Sequence, residues 1–292
     1  MPITINYGIK TGFNDAFIID EKTRDSLISE NPKSAELIVP VVRGRDIKAY
    51  EVPRKENAEF LILALYGSYK YLESKYPAIY NRLIQFKEKL QSRGQCRGSK
   101  AREDKPYLGA HHWLELDNCP TEDYIALFAK PKIMYPNMTS VFPFYFDETG
   151  VFGNDKTFII TAVDDSFPLK ALVAIFNSNL AKLWIWYNCP ELMGGTREIR
   201  KVYFENFRIP LDNPEILQQL ATLADEIIAA KSSLSGTLSL SKCQPKGTEP
   251  VIAIDSEAIQ RNIADLEKQT NNLVYQLYGI TDQDEIDAVE KR

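Results

Sequence analysis

Apolar positions come in short runs over the first part of the chain and in long helical stripes over the last part. Ala16 to Ile19 and Leu37 to Val42 are continuous apolar runs of strand length, and Phe60 to Leu65 reads as a third strand. Leu72 to about Arg93 predicts a helix: Pro77 suits a first turn, and Ile79, Leu83, Phe86 and Leu90 recur at helical spacing. Pro131 to Pro136, Phe142 to Phe146 and Thr157 to Ala162 predict further strands, with Asp147-Glu148-Thr149-Gly150 as a turn. Leu169 to Tyr187 predicts a strongly apolar helix that contains Asn177-Ser178-Asn179, and Tyr203 to Pro210 closes this first unit.

From Pro214 the pattern changes. Ile216, Leu220, Leu223, Ile227 and Ile228 form one helical stripe. Ile259, Ile263, Leu266, Leu273, Val274 and Leu277 form another, stopped by Gly279. The low-hydropathy stretch from Ser232 to Thr248 predicts a flexible connection. The expected architecture is α+β. A mixed-strand domain over 1–211 precedes an antiparallel helical pair over 212–292, with the flexible connection near 232–250.

Composition narrows the class. Of 292 residues, 44% are hydrophobic and 11% aromatic, values of a globular chain with a real core. No apolar run reaches the roughly 18–20 residues of a membrane helix, and there is no basic-then-apolar leader, so a cytoplasmic location without membrane contact is the expectation. Cys96, Cys119, Cys189 and Cys243 form no Cys-x-x-Cys pair, which argues for incidental thiols over a zinc or redox motif. The net charge is −5, but Asp212 to the end holds 14 acids against 7 Lys/Arg, so residues 1–211 carry +2. Within them Arg82 to Lys105 holds eight Lys/Arg against three acids. Such local patches govern association with polyanions.

The cations sit on glycine-containing turns. Gly8, Lys10, Thr11, Gly12 and Asn14 precede the first apolar run, and Arg43-Gly44-Arg45-Asp46 with Lys48 follows the second. Arg93 to Arg102 is glycine-rich and cationic, and Met193-Gly194-Gly195-Thr196-Arg197 repeats the theme. Glycine permits tight turns and close backbone approach to a ligand. Other chemistry is poorly supported. His111 and His112 are the only histidines, and as neighbours on a strand they would point to opposite faces. The Glu-x-Lys of Glu73-Ser74-Lys75 lies in a helical segment, whereas metal-dependent nucleases carry it on a strand with a nearby Asp. No metal site and no catalytic residue is assigned.

Several segments together resemble the TaqI-like C-terminal specificity domain of DNA methyltransferases and fused restriction–modification enzymes. They are Gly8 to Asp20, Val39 to Ile47 with Tyr50, Tyr76 to Arg93, Trp113 to Leu116, Pro131 to Pro136, Ala174 to Ser178 and Arg208-Ile209-Pro210. The resemblance spans roughly residues 3–211, and Leu273 to Thr281 is similar to the tail of such enzymes and of type I specificity subunits. It implies a target-recognition domain that reads a short sequence in double-stranded DNA. Its partner would be a methyltransferase domain that holds S-adenosylmethionine and modifies adenine N6, as in type IIG enzymes. This chain has no Pro-Pro dipeptide and no Gly-x-Gly-x-x-Gly loop. It is therefore expected to be a non-catalytic recognition portion, without its own cofactor, of a larger enzyme or a separate specificity subunit.

Recognition of DNA needs cations and backbone N–H groups on phosphates, and forked donors and acceptors on base edges. The candidates are Lys10, Thr11, Asn14, Arg43, Arg45 and Lys48; Arg93, Arg97, Lys100 and Arg102; and Lys132, Asn137, Arg197 and Arg200. Arg suits guanine, and Asn14 or Asn137 suits adenine. The alternative is a protein–protein scaffold in which the two C-terminal helices mediate assembly and the basic turns are solvated surface.

Overall fold

A computed structural model describes residues 2–51, 58–97, 106–118, 120–164, 166–241 and 249–291, with backbone alone over 236–241 and 249–255. The chain begins with β1 (Ile3–Tyr7), α1 (Asn14–Phe17), β2 (Ile18–Asp20), α2 (Glu21–Glu30), β3 (Ile38–Val42) and β4 (Glu59–Ile62). Then come α3 (Leu72–Lys75), α4 (Pro77–Ile84), α5 (Lys87–Gln91), α6 (Glu122–Ala126), β5 (Lys132–Pro136), β6 (Met138–Thr139), β7 (Tyr145–Asp147), β8 (Phe152–Gly153) and β9 (Thr157–Ala162). The rest is α7 (Leu169–Asn177), α8 (Asn179–Asn188), β10 (Arg197–Glu198), α9 (Lys201–Phe204), α10 (Pro214–Ser241), α11 (Glu249–Leu277) and α12 (Gln283–Glu290). The α+β expectation holds.

One antiparallel sheet has the order β1-β9-β5-β7. A second has the order β2-β4-β3-β8, with β3 and β8 parallel, and β10 pairs with β6 as a separate ribbon. The first sheet is buried on both faces. Side chains of a strand alternate between faces, so Ile133 and Tyr135 of β5 enter one core while Met134 enters the other. On β9, Phe158 and Ile160 divide from Ile159 in the same way. That explains why both segments read as continuous apolar runs. One core joins this sheet to α7, α8, α10 and α11; the other joins it to the second sheet, α4 and α5. Leu217, Leu220 and Ile227 of α10 share the first core with Ile3 and Ile5 of β1.

Local departures from the predicted elements have physical causes. Ala16 and Phe17 belong to the helical turn α1, not to a strand, because Arg82 donates to the Asp15 and Ala16 carbonyls. The helix expected over 72–93 is three short pieces, the second opened by Pro77. The helix expected over 169–187 breaks at Ser178, whose hydroxyl accepts from the Ala181 N–H as an N-cap, while the Asn177 side chain bonds Phe144. The stretch expected to be flexible is helical over 232–241; residues 242–248 lie outside the description. β1 and α2 were not anticipated. α10 and α11 are antiparallel: Lys231 pairs with Glu267 at 3.2 Å, and the Tyr278 hydroxyl donates to the Arg208 carbonyl. Gly279, at φ +70, ends α11 with Ile280 N–H to Tyr275 and Gly279 N–H to Gln276, a Schellman arrangement.

Candidate nucleic-acid interface

Four separate segments meet at one edge of the molecule. The Asn137 N–H donates to the Lys156 carbonyl at 2.9 Å, and the Asn137 carbonyl accepts from Ile199 at 2.8 Å. A Cβ on Gly44 would lie 2.4 Å from the same Lys156 carbonyl oxygen, so only glycine lets the 43–46 turn approach this closely. The end of β5, the turn before β9, the turn after β3 and the strand β10 therefore converge. Together they carry Arg45, Lys48, Lys156, Arg200 and Lys201, with Asn137 at the centre. Arg45 is 72% exposed, Lys48 61%, Lys156 58% and Arg200 51%. Each has an acidic neighbour: Asp46 at 3.8 Å, Glu51 at 3.6 Å, Asp155 at 3.3 Å and Glu198 at 2.7 Å. Exposed pairs such as the first three stabilise by only about 0–1 kcal/mol, so a phosphate competes for Arg45, Lys48 and Lys156, while Arg200 keeps half its side chain in solvent beside Glu198, itself 13% exposed.

Lys156 was absent from the sequence-derived candidates, as was Lys201. The signal for Lys156 was the polar Asn154-Asp155-Lys156 between two apolar runs, where the Asn154 side chain accepts from the Lys156 N–H. Asn137 is half-buried, its Oδ1 enclosed and without a protein partner. Arg97 is exposed on the separate 93–97 loop. Lys100 and Arg102 lie outside the described residues. Lys10 is exposed, 4.0 Å from Asp117, at a cleft of about 320 Å³ that Tyr7 and Tyr124 also line.

Of the other candidates Thr11, Arg93, Lys132 and Arg197 are buried, which corrects their assignment as surface contacts, while Asn14 and Arg43 are half-buried and held by neighbouring side chains. Arg93 is only 6% exposed. Its guanidinium donates to the carbonyls of Leu90, Thr11, Trp113 and Glu115 and lies 3.2 Å from Asp117. Thr11 is buried and donates to Asn14 Oδ1 at 2.6 Å, which engages Asn14 as well. Gly12 has φ +70, and a Cβ there would meet the Asp117 carboxylate. Gly8 would clash with the Asn154 carbonyl. These two glycines thus accommodate the protein's own groups. The opening turn is a structural joint.

Asp117 is the hub of that joint. His111 is fully buried, in a loop and not on a strand; its Nε2 lies 3.0 Å from Asp117 and its Nδ1 2.9 Å from the His112 carbonyl. Burial alone would lower its pKa, but two ring nitrogens facing acceptors, Asp117 above all, raise it to about 9. Asp117 is pushed up by burial, yet the His111 hydrogen bond and the Arg93 charge hold it below the ordinary carboxylate range. His112 stacks on Tyr69, and burial followed by the His111 charge lowers it to about 4. Among the described residues no group of three or more His, Cys, Asp or Glu could hold a metal ion.

Lys132 is fully buried and forms an ion pair with Asp147, which also accepts from Tyr145, Thr149 and Val151. Burial lowers the Lys132 pKa despite that partner. Arg197 is buried too, its guanidinium 4.2 Å above the Trp186 ring and 3.2 Å from Glu191. Arg43 is held in a two-pronged pair with Glu59 on β4. Glu73-Ser74-Lys75 lies on the helix α3, where the nuclease geometry does not exist.

Comparison with known proteins agrees with this architecture. The sequence profile of the TaqI-like C-terminal specificity domain matches residues 39–211. Among solved structures, the type IIL restriction-modification enzyme MmeI in complex with DNA superimposes with a TM-score of 0.58 at 12% identity. The match covers 99% of this chain and 34% of that one, so the chain spans about a third of that enzyme's length. No curated protein matches the sequence.

Proposed function

We propose, for a chain that belongs to the TaqI-like C-terminal specificity domain family, that it recognises a short sequence in duplex DNA for a restriction–modification enzyme. In this reading the recognition edge holds the duplex so that an N6-adenine methyltransferase domain or subunit can extrude and modify its base. S-adenosylmethionine would bind that other unit. The methyltransferase partner, the type IIG class and the intracellular setting belong to the same proposal.

The observation that carries it is the meeting of Arg45, Lys48, Lys156 and Arg200 on turns that the fold draws to one edge. Four to five cations with weak acidic neighbours would neutralise several phosphates. Counterion release then makes affinity fall with a log–log slope of about −0.9 per phosphate. MmeI, about a third of which this chain matches in fold, was solved in complex with DNA. The test is a gel shift with a random-sequence duplex across about 50 to about 200 mM salt. Salt-dependent binding is expected. Its absence, with the chain alone and with an added methyltransferase half, defeats the proposal.

A further inference from the structure

Residues 190–198 form a β-hairpin that the charge pattern alone does not explain. The Thr196 N–H donates to the Met193 carbonyl at 3.0 Å, and the Leu192 N–H to the Thr196 carbonyl at 2.9 Å. Gly194 and Gly195, at φ +60 and +79, occupy the two central positions of the tight turn, as a type I′ hairpin requires. Strand and turn rest on one ring: Arg197 lies over Trp186, and a Cβ at Gly195, in the turn itself, would touch that ring at 3.5 Å. Arg197 and Glu198 pair with Thr139 and Met138, and the next N–H, of Ile199, donates to the Asn137 carbonyl, so the hairpin lies beside the edge that carries Asn137 and Lys156. At its tip Met193 is 84% exposed and Leu192 is exposed beside it.

We infer that this hairpin is an apolar wedge: it enters a groove of the bound duplex and sets Leu192 and Met193 against a base step. The inference rests on the DNA-recognition reading above. Met and Leu are among the side chains that unstack base steps when inserted from the minor groove. A rigid I′ turn presents its tip with little ordering cost. Charge supports a polyanionic occupant. Glu191 is already answered by Arg197 at 3.2 Å, and the exposed Lys156 and Lys201 lie on neighbouring segments. Two apolar side chains on a narrow tip are also less than the core of a stable protein interface, about 800 Å² per partner.

The experiment uses the full chain and a random duplex pool from which it selects its bound sequences. 2-Aminopurine is then walked through a selected duplex. The wild-type chain is expected to raise fluorescence at one step. The double variant Leu192→Ala/Met193→Ala should lose that rise and bind about tenfold more weakly, which is about 1.4 kcal/mol. Its salt slope and melting temperature should not change, and Met193→Phe should restore the rise. Equal fluorescence in wild type and double variant, with normal salt-dependent binding, overturns the wedge alone. No binding of any duplex overturns the wedge together with the recognition reading.

Discussion

Arg93 and Arg45 both follow apolar elements on glycine-flanked turns, yet one is interior and the other lies in solvent. Around Arg93, a buried carboxylate and four carbonyls use up the guanidinium. Around Arg45, only an exposed aspartate at 3.8 Å competes. The difference teaches that a cation's role follows the desolvated acceptors that reach it. The interior group of cations joins segments distant in sequence; the edge group remains available to a polyanion.

That contrast can be broken at its strong end first. Arg93→Met leaves Asp117 buried with His111 as its remaining close partner and orphans several carbonyls, so a loss of about 3–5 kcal/mol is expected in urea unfolding. A change within 0.5 kcal/mol would place Arg93 with the surface group. The second test is pH. His111 has a folded pKa raised above its unfolded value, so its contribution is fully present below about 6.5 and disappears as pH rises through about 9. Roughly 3 kcal/mol should vanish across that window, and His111→Gln should flatten the slope. His112 acts oppositely: its pKa is depressed to about 4, so its contribution is lost as pH falls from about 6.5 toward that value.

Gly12→Ala probes the joint more gently. A left-handed alanine costs about 1–2 kcal/mol before its Cβ meets Asp117, so a melting-temperature loss of several degrees is expected. The smallest stability effect belongs to the edge. Arg45→Ser/Lys156→Ser/Arg200→Ser should shift unfolding by less than about 0.5 kcal/mol per site. The same triple variant should flatten the DNA salt slope by about 2–3. Unchanged salt dependence would instead favour the scaffold reading.

What the sequence made legible follows from which forces are local. β5 and β9 could be recognised because burial on both faces leaves continuous apolar runs. The stripes of α10 and α11 and the stop at Gly279 were equally plain. The fate of individual cations was not, because Lys132 meets Asp147 across a strand pair and Arg93 meets Asp117 across a loop. Trp186 captures Arg197 from another helix in the same way. Lys156 escaped notice because its value comes from where Asn137 and Gly44 pack, which no single segment reveals. The family pattern identified the kind of domain; side-chain registry decided which members of each basic turn reach the surface.

β1 has a consequence in the order of chain synthesis. Among the described residues its only neighbour in the sheet is β9, with Ile3 opposite Ala162 and Tyr7 opposite Phe158. A nascent chain cannot complete this sheet until residue 162 has left the ribosome, at about 5–20 residues per second. Until then Ile3 and Ile5 wait without their strand partner, and closure joins segments more than 150 residues apart. The edge that carries Asn137 and Lys156 waits longer still, for Ile199, whose N–H donates to the Asn137 carbonyl, so a half-made chain presents its cations without the arrangement that gives them a common direction.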